Sequence, residues 1–224
     1  MSSNSIILMS GGLDSVVSLA STIKEYNVTL GLTFDYGQKS VVQEIQASRK
    51  VCDYYKIIHK VIKLEWLENI TQSALVSGEE VPEAELCTEK SMKSVWVPNR
   101  NGLFLNIAAS FADSYEFTHI IFGANAQEAR TFSDNRQEFL DRVNLSFEYS
   151  TLTKPKVVAP LINLSKDDIV KLALEKEAPL SLVRSCYNSS SSNCGKCESC
   201  LNLKKALLNN NCEVLLRELF EDEN

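Results

Sequence analysis

The stretch IILMSGGLDS, from Ile6 to Ser15, decides the fold. Its first four residues form a continuous apolar run that stops at a serine and two glycines, a pattern typical of a buried parallel strand entering a tight turn. The following segment, residues 13–26, places apolar side chains at helical spacing. The stretch therefore predicts a strand, a glycine turn and a helix in direct succession.

The same alternation continues along the chain. Strands are predicted at residues 28–34 and 57–62, with a helix at 40–55 between them, and this β-α-β-α-β order implies right-handed crossovers and a doubly wound parallel sheet of the α/β class. Residues 79–101 are predicted to form a long loop, and 130–135 a polar loop. Further predictions are helices at 102–114, 136–149 and 165–177, strands at 119–122 and 157–159, and helices beginning at Glu198 and Glu213.

Length and charge limit the functional classes. The 224 residues suit one α/β domain, and a hydrophobic fraction of 44% excludes wholesale disorder. A formal net charge of -6 supplies no general basic face for nucleic acid, so small-molecule chemistry is favoured. No apolar run approaches a membrane span or a signal h-region, and we expect a cytoplasmic protein.

The glycine turn has the chemistry of an anion site. Two adjacent glycines allow successive N–H groups to point into one concavity, the helix adds its positive dipole end, and Ser10 and Ser15 add hydroxyl donors. Asp14 would repel a phosphate unless Mg²⁺ bridges the two. The alternative is a strand-to-helix turn in which the glycines only allow the backbone to turn and bind no anion. The segment is neither a Walker loop nor GxGxxG.

Four cysteines near the C-terminus predict a metal site. The odd total of seven cysteines argues against a disulfide framework. Four thiolates at C-x7-C-x2-C-x2-C spacing suit tetrahedral Zn²⁺, with an iron–sulfur cluster as the alternative. The four predicted ligands are Cys186, Cys194, Cys197 and Cys200.

The loop resembles the S-G-G-x-D-S signature of the ATP pyrophosphatases, and with the cysteine cluster the chain resembles the 7-cyano-7-deazaguanine synthase family. The resemblance runs from Ser10 to the last helix. It includes DYGQ at residues 35–38, VPNRN at 97–101, the proline-to-lysine segment at 160–166 and SCY at 185–187.

The resemblance implies an adenine nucleotide alpha hydrolase-like domain over residues 1–178 and a small helical zinc-binding region over 179–224. It implies a ligase that adenylates 7-carboxy-7-deazaguanine with ATP and Mg²⁺, and converts it with ammonia, via the amide, to the nitrile. It also suggests a homodimer. Catalysis would rest on positioning and electrostatics, without a side-chain nucleophile.

The resemblance also assigns site residues. Arg100 is our first choice for the substrate carboxylate, because its planar fork matches a carboxylate. The candidate catalytic residues are Asp14, Ser15 and Arg100. The predicted ATP-binding residues are Leu8, Met9, Ser10, Gly11, Gly12, Leu13, Asp14, Ser15, Val16, Val17, Ser18, Phe34 and Asp35, and the predicted substrate-binding residues are Tyr36, Gln38, Asn99, Arg100, Asn101, Asp134 and Arg136.

Two segments depart from the family pattern. Lys39-Ser40 stands where the family has a basic residue and histidine, and residues 128–136 read EARTFSDNR instead of roughly D-x-x-x-Y-P-D-C-R. One alternative is therefore a relative of anti-phage operons that stops at the amide or joins the same acid to a protein amine. Others are a tRNA-modifying enzyme with an iron–sulfur cluster and a zinc-stapled nucleotide sensor.

Overall fold

A computed structural model describes residues 4–76, 94–190 and 192–220. Its sheet has five parallel strands in the order β3-β2-β1-β4-β5. The strands are β1 (Ser5–Leu8), β2 (Val28–Asp35), β3 (Ile58–Lys63), β4 (His119–Ile121) and β5 (Lys156–Val158).

Helices connect the strands and extend beyond them. They are α1 (Leu13–Thr22), α2 (Val41–Tyr55), α3 (Glu65–Ile70), α4 (Arg100–Ser114), α5 (Ala126–Ala129), α6 (Gln137–Ser150), α7 (Lys166–Glu175), α8 (Glu198–Asn209) and α9 (Glu213–Leu219). Short 3-10 turns lie at Ser133–Asn135 and Leu180–Leu182.

The sheet has a hydrophobic core on each face. Successive strand residues point to opposite faces, so Ile7 packs in one core and Ile6 in the other. The first core holds α1, α7 and the C-terminal helices, including Leu203. The second holds α4 and α6, with Leu105 and Phe147 fully buried. Residues on both sides of position 178 share the first core, and the predicted domain boundary stays a prediction.

The structure confirms the α/β class and the predicted strand order along the chain. Helix α7 begins after Ser165, as the sequence predicted, and the Ser165 side chain also forms a capping box with Asp168. Helices α3 and α5 were not predicted, and the loop predicted at 130–135 contains the 3-10 turn. The predicted long loop at 79–101 lies largely outside the described residues, and α4 already begins at Arg100.

The strand order places a crevice at the carboxyl edge of the sheet. Strand β1 has β2 on one side and β4 on the other, so the connections wind in opposite directions from this point. Ligands of doubly wound proteins bind where the winding reverses. Within the described residues, no helix has the length and apolar character needed to cross a membrane.

Candidate active site

The turn after β1, residues 10–15, is a glycine loop, which we call the phosphate loop. Gly11 adopts a φ of +75°, and a Cβ there would stand 2.8 Å from the Ala47 Cβ, so the loop requires glycine at this position. The Gly12 N–H donates to Ser10 Oγ at 3.3 Å, and the Ser15 hydroxyl donates to the Gly12 carbonyl at 3.0 Å. The loop leads directly into the N-terminus of α1, which is the geometry of an anion site.

Asp14 lies at the centre of a charged cluster. Lys166 Nζ lies 2.6 Å from Asp14 Oδ2 and 3.1 Å from Glu128 Oε1, and the Asn125 side-chain amide donates to Asp14 Oδ2 at 3.3 Å. Gly123 allows this approach, because a Cβ there would stand 3.2 Å from the Ser15 nitrogen. The turn after β4 and the start of α7 thus meet the loop after β1.

Burial and the neighbouring charges set the ionisation of this cluster. Burial raises the pKa of Asp14, Lys166 opposes this rise and Glu128 adds to it. Burial alone would raise the pKa of Glu128, yet the Lys166 ammonium holds it below its ordinary value. The two carboxylates raise the pKa of Lys166 although burial opposes them, so the lysine remains charged.

A cavity of about 500 Å³ joins this cluster to a second set of polar groups. Arg100, at the first position of α4, lies in its wall with Asp134. Burial alone would lower the pKa of Arg100, but Tyr36 and the carboxylates of Glu128 and Asp134 raise it, so the guanidinium stays charged. Burial raises the pKa of Asp134, and Arg100 opposes this rise. The volume suits a ligand of nucleotide size.

Aromatic rings line two parts of the same cavity. Phe34 and Phe104 stack with their centroids 4.0 Å apart and an interplanar angle of 8°. Trp96 and Phe132 lie 5.9 Å apart at 23°. Flat apolar surfaces beside charged groups suit planar heterocycles, which stack on aromatic rings.

The four predicted cysteine ligands come together in space. Their sulfur atoms all lie within 4.8 Å of one another, at Cys186, Cys194, Cys197 and Cys200. Gly195, at a φ of +72°, makes the turn between the second and third of them. The group is able to hold a metal ion, as the spacing predicted.

Backbone and side-chain amides surround the sulfurs. The Asn188 N–H donates to Cys186 Sγ and the Cys197 N–H to Cys194 Sγ, both at 3.4 Å. The Asn188 side-chain amide reaches Cys194 Sγ at 3.6 Å. Donors of this kind stabilise thiolates, which are the form that binds a metal.

Comparison with known proteins identifies the family. The model of the queuosine biosynthesis protein QueC matches residues 4–211. The chain belongs to the QueC family. A 7-cyano-7-deazaguanine synthase from Carboxydothermus hydrogenoformans is 50% identical to this QueC-family chain over 207 residues, which are 90% of this chain and 96% of the relative. One from Methanosarcina barkeri is 46% identical over 217 residues, 91% and 93% of the two chains.

A solved structure shares the fold of this QueC-family chain. A 4-thiouridine synthetase, solved in complex with RNA and bound ATP, superposes with a TM-score of 0.52 at 20% identity. The match covers 98% of this chain and 54% of that one. At this identity the likeness concerns the fold alone.

The cavity of the QueC-family chain gathers most of the predicted site residues. From the phosphate loop and α1 it is lined by Leu8, Met9, Ser10, Gly12, Leu13, Asp14 and Ser15, and from the other predicted positions by Phe34, Tyr36, Gln38, Arg100, Asn101 and Asp134.

Seven predicted site residues do not line the cavity. Asp35 accepts a hydrogen bond from the Gly37 N–H, Asn99 is the exposed residue before α4, and exposed Arg136 donates through Nε to the Ala129 carbonyl at 2.9 Å. The remaining four are buried behind the loop or in α1, namely Gly11, Val16, Val17 and Ser18.

Sequence reasoning missed several lining residues. Lys166 was noted only as part of the resemblance, and Glu128 only as part of a divergent segment. Lys166 contacts the loop aspartate and Glu128 contacts Lys166, both through tertiary packing, since 152 and 114 positions respectively separate them from Asp14. Glu44, Arg184 and Tyr187 also line the cavity. The position of Lys166, directly after the helix N-cap Ser165, is the sequence feature that could have indicated a role at the site.

Proposed function

We propose that this chain is a 7-cyano-7-deazaguanine synthase, a ligase that forms carbon–nitrogen bonds at the expense of ATP. One observation supports this most directly: a single cavity holds the phosphate loop with Asp14 and, in its other wall, Arg100 and Asp134. The relatives named 7-cyano-7-deazaguanine synthase support the same activity at up to 50% identity. The relationship also suggests a homodimer working in the cytoplasm.

The reaction begins with activation of a carboxylate. A carboxylate oxygen of 7-carboxy-7-deazaguanine attacks the ATP α-phosphorus, the bond to the β-phosphate oxygen breaks, and pyrophosphate leaves. Ammonia then attacks the acyl carbon and displaces AMP, with loss of a proton, to give the amide. The amide oxygen attacks the α-phosphorus of a second ATP, and pyrophosphate leaves with loss of one amide proton. Loss of AMP and the second amide proton then leaves the nitrile.

The phosphate loop would hold the ATP phosphates. Its backbone N–H groups and the helix terminus would donate to the departing pyrophosphate. The Ser10 and Ser15 hydroxyls would do so by rotating away from Ser15 Oγ and the Gly12 carbonyl, their acceptors within the loop. Asp14 Oδ1 is buried and has no hydrogen-bond partner among the described residues, so the site fits a divalent cation at this oxygen. Mg²⁺ bound there would neutralise charge that develops on the leaving group.

Arg100 and Asp134 would hold the deazapurine. The partly buried guanidinium of Arg100 matches the carboxylate that is activated and would keep its charge beside the reacting atoms. The half-buried carboxylate of Asp134 can accept hydrogen bonds from the two N–H groups on the guanine-like edge. Trp96 and Phe132 offer a face for the ring.

The cysteine cluster fits zinc better than an iron–sulfur cluster. Tetrahedral Zn²⁺ with bonds of about 2.3 Å separates its four sulfurs by about 3.8 Å. The sulfur separations here stay within 4.8 Å. A four-iron cluster places each thiolate on a different iron and needs a wider cage. We propose that zinc ties the C-terminal region to the nucleotide-binding domain.

The divergent segments are compatible with the same activity. Ser40 is buried and donates its hydroxyl to Glu44 Oε1 at 2.6 Å, so its polar group is satisfied within the chain. In residues 128–136, Glu128 and Asp134 both line the cavity. No observation favours the amide-forming, protein-conjugating, tRNA-modifying or nucleotide-sensor alternatives.

Mass spectrometry of the complete reaction tests the proposal. Incubation with ATP, Mg²⁺, ¹⁵N-ammonia and 7-carboxy-7-deazaguanine should give a singly ¹⁵N-labelled nitrile and two AMP for each product. A labelled amide as the end product, or no AMP formation, would contradict the synthase assignment. Asp14→Asn should lose AMP formation by about 100-fold or more with the fold intact. Asp141→Asn, at an exposed position on α6, is the matched control.

A further inference from the structure

Arg184 connects the phosphate loop to the cysteine cluster. Its backbone N–H donates to the Gly11 carbonyl at 2.8 Å. On the other side of Gly11, the loop packs against the backbone and side chains of α2, with Ala47 and Ser48 nearest. The position of the Gly11 peptide is therefore defined by α2 on one side and by Arg184 on the other.

The side chain of Arg184 holds the loop between two cysteines. One guanidinium nitrogen, Nη2, donates to the carbonyls of Asn188 and Ser190, both at 2.8 Å. Asn188 in turn donates to the sulfurs of Cys186 and Cys194. The hydrogen bonds of Arg184 and Asn188 thus connect the Gly11 carbonyl to two of the four sulfurs.

Because Arg184 is buried, this connection depends on the positions of its carbonyl acceptors. The residue is only 8% exposed and lies in the cavity wall. A buried guanidinium needs its carbonyl acceptors in place, because an uncompensated buried charge is strongly unfavourable. A loop opened by loss of metal would displace those acceptors, and Arg184 would move with them. Its backbone would then no longer hold the Gly11 carbonyl.

We propose that Arg184 is a positioning residue that couples metal binding at the four cysteines to nucleotide binding at the phosphate loop. The inference rests on the proposed function, which supplies the nucleotide and the metal. Coupling between two sites is reciprocal, so bound nucleotide tightens metal binding by the same factor that metal tightens nucleotide binding. Typical couplings change affinity by about 5–150-fold.

The test measures the zinc affinity of the full chain with and without nucleotide. Zinc-loaded protein is titrated with a chromogenic zinc chelator, alone and with saturating Mg²⁺ and the α,β-methylene analogue of ATP, which cannot lose pyrophosphate. The analogue should lower the apparent zinc dissociation constant of the wild type by about fivefold or more. Arg184→Leu should reduce this factor to near one. Arg184→Lys should give an intermediate factor, since lysine keeps the positive charge but its shorter side chain does not place a nitrogen where Nη2 lies.

Two measurements separate the possible failures. Arg217→Leu, at an exposed position on α9, is the matched control and should keep the full factor. Calorimetric titration of the analogue into the same zinc-loaded wild type reports nucleotide binding directly. Binding of the analogue with no change in zinc affinity would overturn the coupling alone, as would an unchanged factor in Arg184→Leu. Absence of analogue binding would overturn the proposed function as well.

Discussion

Lys166 Nζ lies 2.6 Å from Asp14 Oδ2, although 152 positions separate the two residues in the chain. The side chains are 15% and 18% exposed, so this ion pair is largely shielded from water. Glu128 shares the same ammonium group. One cation therefore compensates two carboxylates at the point where the phosphate loop meets the cavity. Its removal would leave the largely buried Asp14 carboxylate and the more exposed Glu128 carboxylate without their shared cation.

Lys166→Met should shift the pH dependence of activity. Because Lys166 opposes the burial that raises the carboxyl pKa values, its loss raises the pKa of Asp14 further and brings that of Glu128 up. Both groups then protonate at higher pH. The acidic limb of the kcat/KM profile should move to higher pH by at least about one unit, which corresponds to a tenfold change in the protonation equilibrium.

Steady-state kinetics between pH 5 and 9 measures that shift, and Lys166→Arg is the conservative control that keeps the charge. An acidic limb at the wild-type position in Lys166→Met would show that the lysine does not control the ionisation of the site. Recovery of the wild-type limb in Lys166→Arg would assign the effect to charge.

Asp134→Asn should weaken deazapurine binding and leave ATP binding unchanged. The substitution removes a charged acceptor from the cavity wall, and hydrogen bonds to charged groups contribute about 1.5–3 kcal/mol. KM for 7-carboxy-7-deazaguanine should rise about 10- to 100-fold. Separate titrations of the two substrates measure the effect, with Asp141→Asn as the control on the exposed side of α6. Equal increases in both KM values would contradict a specific role.

Cys200→Ala should remove the metal and destabilise the protein, because Cys200 is fully buried within the cluster. Structural zinc binds with free energies of about 10 kcal/mol or more, and the loss of one ligand should lower the free energy of unfolding by roughly 3 kcal/mol or more. Elemental analysis and urea unfolding measure the two effects. Cys212→Ala, in the same region but outside the cluster, should retain its metal. Full metal content in Cys200→Ala would remove this cysteine from the ligand set.

Asp113→Asn should alter the stability of the protein in acid. Hydrogen bonds from the Thr153 and Leu152 N–H groups and the Thr153 hydroxyl hold the pKa of Asp113 below its ordinary value. The stabilisation is fully present above the unfolded pKa of about 3.9 and is lost as the pH falls through the lower folded value. The asparagine variant should therefore lose less stability than the wild type below about pH 4. Urea unfolding from pH 7 to pH 2.5 measures this, and parallel curves for the two proteins would contradict it.

Local sequence patterns were sufficient for much of the fold. The apolar run before Gly11 predicted β1, helical spacing after Leu13 predicted α1, and Ser165 with Asp168 predicted the start of α7. Each of these features is encoded within a few neighbouring residues. Cysteine spacing predicted the cluster for the same reason, since three of its members lie within seven residues.

The missed parts depend on contacts between distant segments. Helices α3 and α5 have six and four residues, too few to display a helical period. The partners of Asp14 come from the turn after β4 and from α7, and only the strand order brings them to the loop. Arg136 lies at a predicted helix start, but its side chain donates to the Ala129 carbonyl, a contact that the sequence alone does not predict.

The shared core of α1 and the C-terminal helices has a consequence for synthesis on the ribosome. Ile7 and Val16 emerge long before Leu207 and Phe220, which complete their core more than 190 positions later. The nascent chain therefore exposes one apolar face of its sheet until the helices α8 and α9 have emerged. A chain truncated before α8 would present that face to chaperones or to other copies of itself.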